Sequence, residues 1–183
     1  MTFHAGELLV ATPEMIDPNF NRAVILLLDH DEDGAIGVVL NRPMELPLRA
    51  VLPGWADVVA EPHQLFSGGP VSRESALAVG LSLGEGPTDN FRRLTGDFGL
   101  IDLDAEPDTV LDNLIGLRVF SGYAGWGHEQ LTAEIEEGSW YIVNAVPTDL
   151  LTSHPEDLWR SILRRQPGEL AFLATMPDDP SLN

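Results

Sequence analysis

Short runs of aliphatic residues, separated by polar segments rich in glycine and proline, define the pattern of this chain. RAVILLLD (22–29) and GAIGVVLNRP (34–43) are continuous in β-branched and aliphatic residues, with a few acidic positions between them. This arrangement predicts two paired strands. GELLVA (6–11) predicts a short buried strand, and SALAVGLSL (75–83) favours a strand over a helix. Further strands are predicted at 63–70, 98–104, 117–122, 139–146 and 169–175.

Three other segments, 105–116, 127–138 and 153–168, have the spacing of amphipathic helices. The first two end in glycine, and the third opens with Ser153 and Glu156 in a capping-box pattern. The apolar positions that support these helices are Val110, Leu111, Leu114 and Ile115 in the first, Leu131 and Ile135 in the second, and Leu158, Trp159, Ile162 and Leu163 in the third.

Strands and helices mix without strict β-α-β alternation, and no linker, low-complexity segment or repeat divides residues 1–183. The pattern therefore predicts one compact α+β domain. Three prolines in the segment 43–53 predict a loop around a short helical stretch. GEGPTDN (84–90) predicts a polar loop, and the chain is expected to close on a polar tail after a helix and a strand within 153–175.

The net charge of the chain limits the classes of molecule that it is expected to bind. Twenty-nine acidic residues face ten basic ones, all of them arginine, for a formal charge of −19. Such a field repels phosphate backbones and argues against direct nucleic-acid contact. Arg160, Arg164 and Arg165 are expected to form a solvated helix terminus. A GC-rich genome and a high-salt habitat both explain the absence of lysine.

Localisation follows from what the composition lacks. Without cysteine there is no disulfide framework or thiolate metal site. No apolar run approaches the ~20 residues of a membrane helix, and the N-terminus lacks the pattern of a secretory signal. We expect a cytoplasmic protein without membrane contact.

Acidic residues between the first two long runs resemble half of a calcium loop. Asp29, Asp31, Asp33 and Gly34 occupy positions 1, 3, 5 and 6 of an EF-hand, but position 12 holds Leu40 instead of the bidentate glutamate. The flanks are also strand-like, whereas an EF-hand is flanked by helices. The segment is therefore predicted to be a hairpin turn, and no metal site is predicted.

SGYAGWGHEQL (121–131) is the segment richest in candidate chemistry. The pattern predicts a strand that meets a helix through a glycine-rich turn, whose free N–H groups suit an anion. The chain lacks the lysine of a P-loop, and G-x-x-G-x-G is not the dinucleotide spacing. Alternatively, the glycines only permit a tight turn while Tyr123 and Trp126 pack on the core. Among the histidines, His128 is the one placed beside this turn, where a general acid or base would lie, but no catalytic residue is predicted.

Two other strand ends carry polar or glycine residues. In VLNRP, Asn41 is suited to bond a turn, and Arg42 is either a ligand clamp or part of a structural salt bridge. LFSGGP (65–70) and VFSGYAG (119–125) share the order Phe, Ser, Gly. We expect the three strand ends to meet in one binding surface. Its residues are Asn41, Arg42, Pro43, Gly68, Gly69, Pro70, Gly122, Tyr123, Gly125, Trp126, His128 and Gln130.

Several of these segments together resemble the AlgH/YqgE family of largely uncharacterised bacterial proteins. The resemblance spans about 5–145 and rests on GELLVATPEMIDPNFNRAVILLLDHDEDGAIGVVLNRP, LFSGGPV and VFSGYAGWGHEQLTAEIEEGSWYIV. It departs at SRESALAVG, which lacks the histidine common in relatives, at Glu129, where relatives often have glycine, and after about residue 147. The resemblance implies a single-domain α+β fold on a mixed, barrel-like sheet with flanking helices.

Three functional hypotheses follow. The first is a cytoplasmic, non-enzymatic binding or regulatory protein, without a cofactor, that contacts a protein partner or a small anionic ligand. The second is a phosphate- or nucleotide-binding enzyme that uses the glycine-rich turn at 122–128. The third is an indirect transcriptional regulator, because one relative carries a label as a regulator of alginate production and no DNA-binding motif accompanies that label.

Overall fold

Strands contain most of the apolar runs in the computed structural model, which describes residues 2–84 and 89–177. The strands are β1 (Glu7–Ala11), β2 (Val24–Asp31), β3 (Gly34–Val39), β4 (Pro43–Pro47), β5 (Gln64–Ser67), β6 (Val71–Ser82), β7 (Phe91–Thr95), β8 (Phe98–Ile101), β9 (Leu114–Gly127) and β10 (Trp140–Asn144). The α-helices are α1 (Gln130–Glu136), α2 (Pro147–Leu150), α3 (Leu158–Arg164) and α4 (Leu170–Leu173). Short 3₁₀ turns cover Leu48–Ala50, Pro107–Thr109, Leu111–Asn113 and Pro155–Asp157.

The strands form one curled sheet in the order β10-β1-β2-β3-β9-β6-β8-β7. β4 and β5 attach to its middle, where β5 runs parallel to β9 with Phe66 opposite Phe120. The neighbours along the main order are antiparallel. Because β5 and β9 are parallel, the sheet as a whole is mixed. Thr95 at the end of β7 donates from Oγ1 to the carbonyl of Ala5 at 3.3 Å, which links the edge strand β7 to the residues just before β1 and curls the sheet. The predicted α+β class and barrel-like sheet are confirmed.

Continuous apolar runs arise because both faces of the sheet are covered. Alternate residues point to opposite faces of a strand. One face packs against α3, and its residues include Leu8, Val10, Val24, Leu26, Leu158, Ile162 and Leu163. The other face packs against α1, and its residues include Leu9, Ala11, Ile25, Leu27, Leu131 and Ile135. The predicted apolar faces of α1 and α3 are therefore confirmed.

Two predicted elements are wrong. Residues 105–116 form successive 3₁₀ turns followed by the start of β9, because Leu114 pairs with Ser82 of β6 and leaves the helical face. Gly116 does not stop a helix; a Cβ there would lie 2.9 Å from the Leu151 side chain. The segment 169–175 contains helix α4 instead of a strand, because Leu170 and Leu173, three residues apart, both pack on the core beside α3.

Several local predictions have clear outcomes. Composition did not indicate strands β4 and β7, but the short helical stretch in the proline loop is present at Leu48–Ala50. The acidic segment is a hairpin, as predicted. Asp31 Oδ1 accepts the N–H groups of Asp33 and Gly34 at 2.8 and 3.2 Å. The centre of the predicted 84–90 loop and the end of the polar tail lie outside the described residues. In the described part, no helix is both long and apolar enough to cross a bilayer.

Candidate functional site

The glycine-rich segment 122–127 is part of a strand. The prediction of a strand-to-helix turn is therefore wrong. β9 continues to Gly127, and its last residues pair with β3, with Gly37 opposite Ala124 and Gly34 opposite Gly127. The Gln130 side chain then accepts the Gly127 N–H at 3.0 Å before the short helix α1. This part of the backbone is thus engaged in the sheet and does not form the free anion cradle.

The three strand ends nevertheless meet. Gly68 lies between β3 and β9, where its carbonyl accepts the N–H of Val39 and its own N–H donates to Ser121, both at 2.9 Å. Ser67 N–H donates to the carbonyl of Arg42 at 2.8 Å. These bonds place the segments 41–43, 68–70 and 121–123 next to one another.

Close backbone passage explains three of the predicted glycines. A Cβ on Gly69, whose φ is +150°, would lie 2.2 Å from the Tyr123 carbonyl carbon. A Cβ on Gly68 would lie 2.3 Å from the Gly122 oxygen, and Gly122 itself has φ +73°. These glycines are required for the two chain segments to cross, so their presence alone does not indicate a ligand.

Asn41 has a structural role. Its Oδ1 accepts the N–H of Val24 at 3.0 Å, and its Nδ2 donates to the carbonyl of Arg22 at 2.9 Å. The side chain therefore fixes the entry to β2, and both halves of its amide are occupied.

Replacing Asn41 with alanine is expected to lower the free energy of unfolding by about 2 kcal/mol, because the Val24 N–H loses its acceptor at a buried strand. Urea denaturation measures the change. The matched control is Asn144→Ala, an exposed position expected to change stability by less than about 0.5 kcal/mol. Equal losses in both variants would contradict this role.

Arg42 contributes to a small basic pocket of about 120 Å³. It is lined by Pro18, Asn19, Val39, Arg42, Ser67, Gly69, Pro70 and Arg73. Arg42 donates to the carbonyls of Asn21 and Asn41, and burial lowers the pKa of its guanidinium. The structural salt bridge that was one alternative for Arg42 does not form among the described residues.

Arg73 lines the same pocket as Arg42. The sequence pattern did not identify it as a candidate residue. It donates to Asn19 Oδ1 at 3.3 Å. Within residues 2–84 and 89–177, no carboxylate pairs with Arg42 or Arg73, whereas Arg49, Arg93 and Arg165 each pair with an aspartate. Arg73 comes two residues after Val71, which pairs with Tyr123 of the distant strand β9, so a short stretch of sequence gives no signal of this position.

The remaining predicted residues lie elsewhere on β9 and after it. Trp126 is buried against Trp140 and donates from Nε1 to Glu134 at 2.7 Å, so it belongs to the core. His128 is exposed, and its ring contacts the carbonyl of Glu32. Pro43 is exposed at the start of β4. Tyr123 and Gly125 line a separate groove beside the acidic hairpin.

A family model described as AlgH-like, DUF179, matches residues 8–171. The chain belongs to the AlgH-like family. A UPF0301 protein of Streptomyces avermitilis is 54% identical to this AlgH-like chain over 182 residues, covering 97% of this chain and 94% of the relative. A UPF0301 protein of Mycobacterium leprae is 45% identical over 182 residues, covering 98% and 90%.

Solved structures share the fold of this AlgH-like chain. The crystal structure of protein DIP2367 from Corynebacterium diphtheriae superposes with a TM-score of 0.90 at 33% identity, covering 96% of this chain and 93% of that one. The solution structure of the AlgH protein from Pseudomonas aeruginosa has a TM-score of 0.69 at 26% identity, covering 96% and 95%. The family model and both structural matches extend past residue 147, where the resemblance was expected to depart.

Proposed function

We propose that this AlgH-like protein is a cytoplasmic, non-enzymatic binding protein with regulatory use, and that its small-ligand site is the Arg42–Arg73 pocket. The observation that carries the proposal is the convergence of two arginines without a carboxylate partner in the described residues of a chain of charge −19. Acids are abundant in this protein, so an arginine pair without one is available for an external anion.

The chemistry of the pocket suits one phosphate or carboxylate group. Guanidinium groups present several N–H donors in a planar arrangement that matches the oxygens of such anions. The backbone carbonyls of Asn21 and Asn41 hold Arg42 in place, so less side-chain freedom is lost on binding. The volume of about 120 Å³ fits one such group and excludes a whole nucleotide from the pocket itself.

Other hypotheses receive less support from the geometry. The phosphate- or nucleotide-binding enzyme relied on a turn at 122–128, and residues 122–127 lie in strand β9 instead. Indirect regulation of transcription is compatible with ligand-dependent binding, but no feature of the pocket favours it over other regulatory outputs.

Calorimetric titration with inorganic phosphate and pyrophosphate tests the pocket. We expect one saturable site at low ionic strength, weakened about tenfold or more by Arg42→Gln and by Arg73→Gln, since a hydrogen bond to a charged group contributes about 1.5–3 kcal/mol. The control is Arg92→Gln, an exposed arginine on β7 outside the pocket. An equal loss in the control, or no saturable binding in the parent protein, would remove the proposal.

A further inference from the structure

A groove of about 420 Å³ lies beside the hairpin that joins β2 and β3. Its lining is mainly apolar and includes Ile36, Val71 and Tyr123. Ile36 and Val71 are 42% and 36% exposed, although both belong to central strands of the sheet. The registers explain their proximity, because Ile36 faces Gly125 across β3 and β9, and Val71 faces Tyr123 across β6 and β9.

Gly125 keeps this groove open. A Cβ on this residue would make only ordinary contacts, at 3.8 Å to both Tyr123 and Val71, and its φ lies outside the left-handed region. Glycine within a strand costs roughly 0.5–1 kcal/mol relative to alanine. Gly68 and Gly69 are required by backbone crowding, whereas Gly125 is not. A side chain at position 125 would therefore make the groove shallower.

Carboxylates form the rim of the groove. Asp29, Asp31 and Asp33 line it together with His30. In residues 2–84 and 89–177, none of these aspartates pairs with an arginine, and Asp31 bonds only backbone N–H groups of the hairpin. The groove therefore combines an exposed apolar floor with an uncompensated negative rim.

We infer that this groove docks a positively charged segment of another protein, with an apolar side chain on Ile36, Val71 and Tyr123 and an arginine or lysine against Asp29 and Asp31. Charge complementarity selects this occupant. A second copy of the chain would bring another −19 charges to an acidic rim, and a nucleic acid would bring phosphates. The groove is also too open to enclose most of a small molecule's surface, as ligand pockets usually do.

The docking surface is independent of the proposed anion pocket. The two share no lining residue, although both adjoin β3 and the start of β6. Variants in the groove leave Arg42 and Arg73 unchanged, so phosphate binding and peptide binding can fail separately.

A synthetic, terminally blocked twelve-residue peptide of alternating arginine and leucine is the probe, and fluorescence anisotropy at physiological salt is the measurement. We expect saturable binding at one site. Gly125→Val fills the groove and is expected to weaken peptide binding tenfold or more while the melting temperature stays equal or rises. The double variant Asp29→Asn, Asp31→Asn is expected to weaken binding at least fivefold, since asparagine retains the Oδ1 acceptor of the hairpin.

The matched control removes the same number of charges at the end of α1, outside the groove, in the double variant Glu136→Gln, Glu137→Gln. It is expected to bind within twofold of the parent protein. Four results would overturn the inference: no saturable binding, unchanged binding to Gly125→Val, an equal loss in the control, or equal binding of a glutamate–leucine peptide. Displacement of the peptide by equimolar spermine would instead assign the groove to a small cation.

Discussion

Replacing Gly69 with alanine is expected to lower the free energy of unfolding by about 3 kcal/mol or more. Two causes act together at this position. The backbone has φ +150°, a conformation that L side chains rarely adopt, which costs about 1–3 kcal/mol. The new Cβ would also lie 2.2 Å from the Tyr123 carbonyl carbon and 2.4 Å from the Ala124 nitrogen, and these backbone atoms belong to β9 and cannot rotate away. The added loss reflects overpacking.

Gly125→Ala is the matched control for Gly69→Ala, because Gly125 lies on the same strand, β9, close to Tyr123 but away from the backbone crossing. Here the Cβ has room, and stability is expected to stay equal or to rise by up to about 1 kcal/mol. Chemical denaturation measures both variants, with the same slope of the free energy of unfolding against denaturant concentration used for each. Similar losses of stability in the two variants would contradict the conclusion that backbone crowding requires glycine at position 69.

The strands that the sequence predicted well are those whose pairing is local or whose two faces are both buried. The hairpin of β2 and β3 needs only two connecting residues, and its apolar runs stay continuous because each face meets a helix. Asp31 at the tip bonds the hairpin itself, and strands flank the acidic residues as the sequence predicted.

Errors arose where a distant partner strand decides the local structure. The glycines at 122, 125 and 127 have the composition of a turn, yet β3, about 90 residues away, pairs with residues 124–127 and keeps them extended. Residues 111–115 show a similar conflict, since pairing of Leu114 with Ser82 overrides an apolar spacing typical of a helix. Non-local pairing of this kind has no signal in a short window of sequence.

The candidate site was only partly predictable for the same reason. Of the residues that line the proposed anion pocket, the sequence had named Arg42, Gly69 and Pro70 but not Arg73, whereas Asn41 bonds the backbone. Arg73 follows GGPV by one residue, and only the fold shows that it faces Arg42. The fold thus places a basic pocket next to an acidic groove. The first suits an anion and the second a positively charged segment, so the two proposals concern different ligands.

Arg118 is the buried residue whose removal is expected to have the other large effect. It is 1% exposed on β9, and its Nη1 and Nη2 donate to the carbonyls of Leu150 at 2.8 Å and Glu61 at 2.6 Å. Its guanidinium carbon lies 4.3 Å from the centroid of the Phe66 ring. Burial lowers the pKa of Arg118 to about 10, so the group stays charged near neutral pH at a desolvation cost that these contacts offset.

Arg118→Ala is expected to lower the free energy of unfolding by about 3–5 kcal/mol, because it leaves two inward-facing carbonyls without donors and opens a cavity beside Phe66. Arg164→Ala, at an exposed position of α3, is the control and is expected to change stability by less than about 0.5 kcal/mol.

Arg118→Met separates the two causes, since it restores most of the volume but not the donors. If methionine recovered the whole loss, packing on Phe66 alone would explain the residue, whereas a loss below about 1 kcal/mol in Arg118→Ala would show that neither contact stabilises the fold. We expect methionine to recover part of the loss, because Arg118 connects β9 to the end of α2 and to the loop before β5 through hydrogen bonds that no apolar side chain replaces.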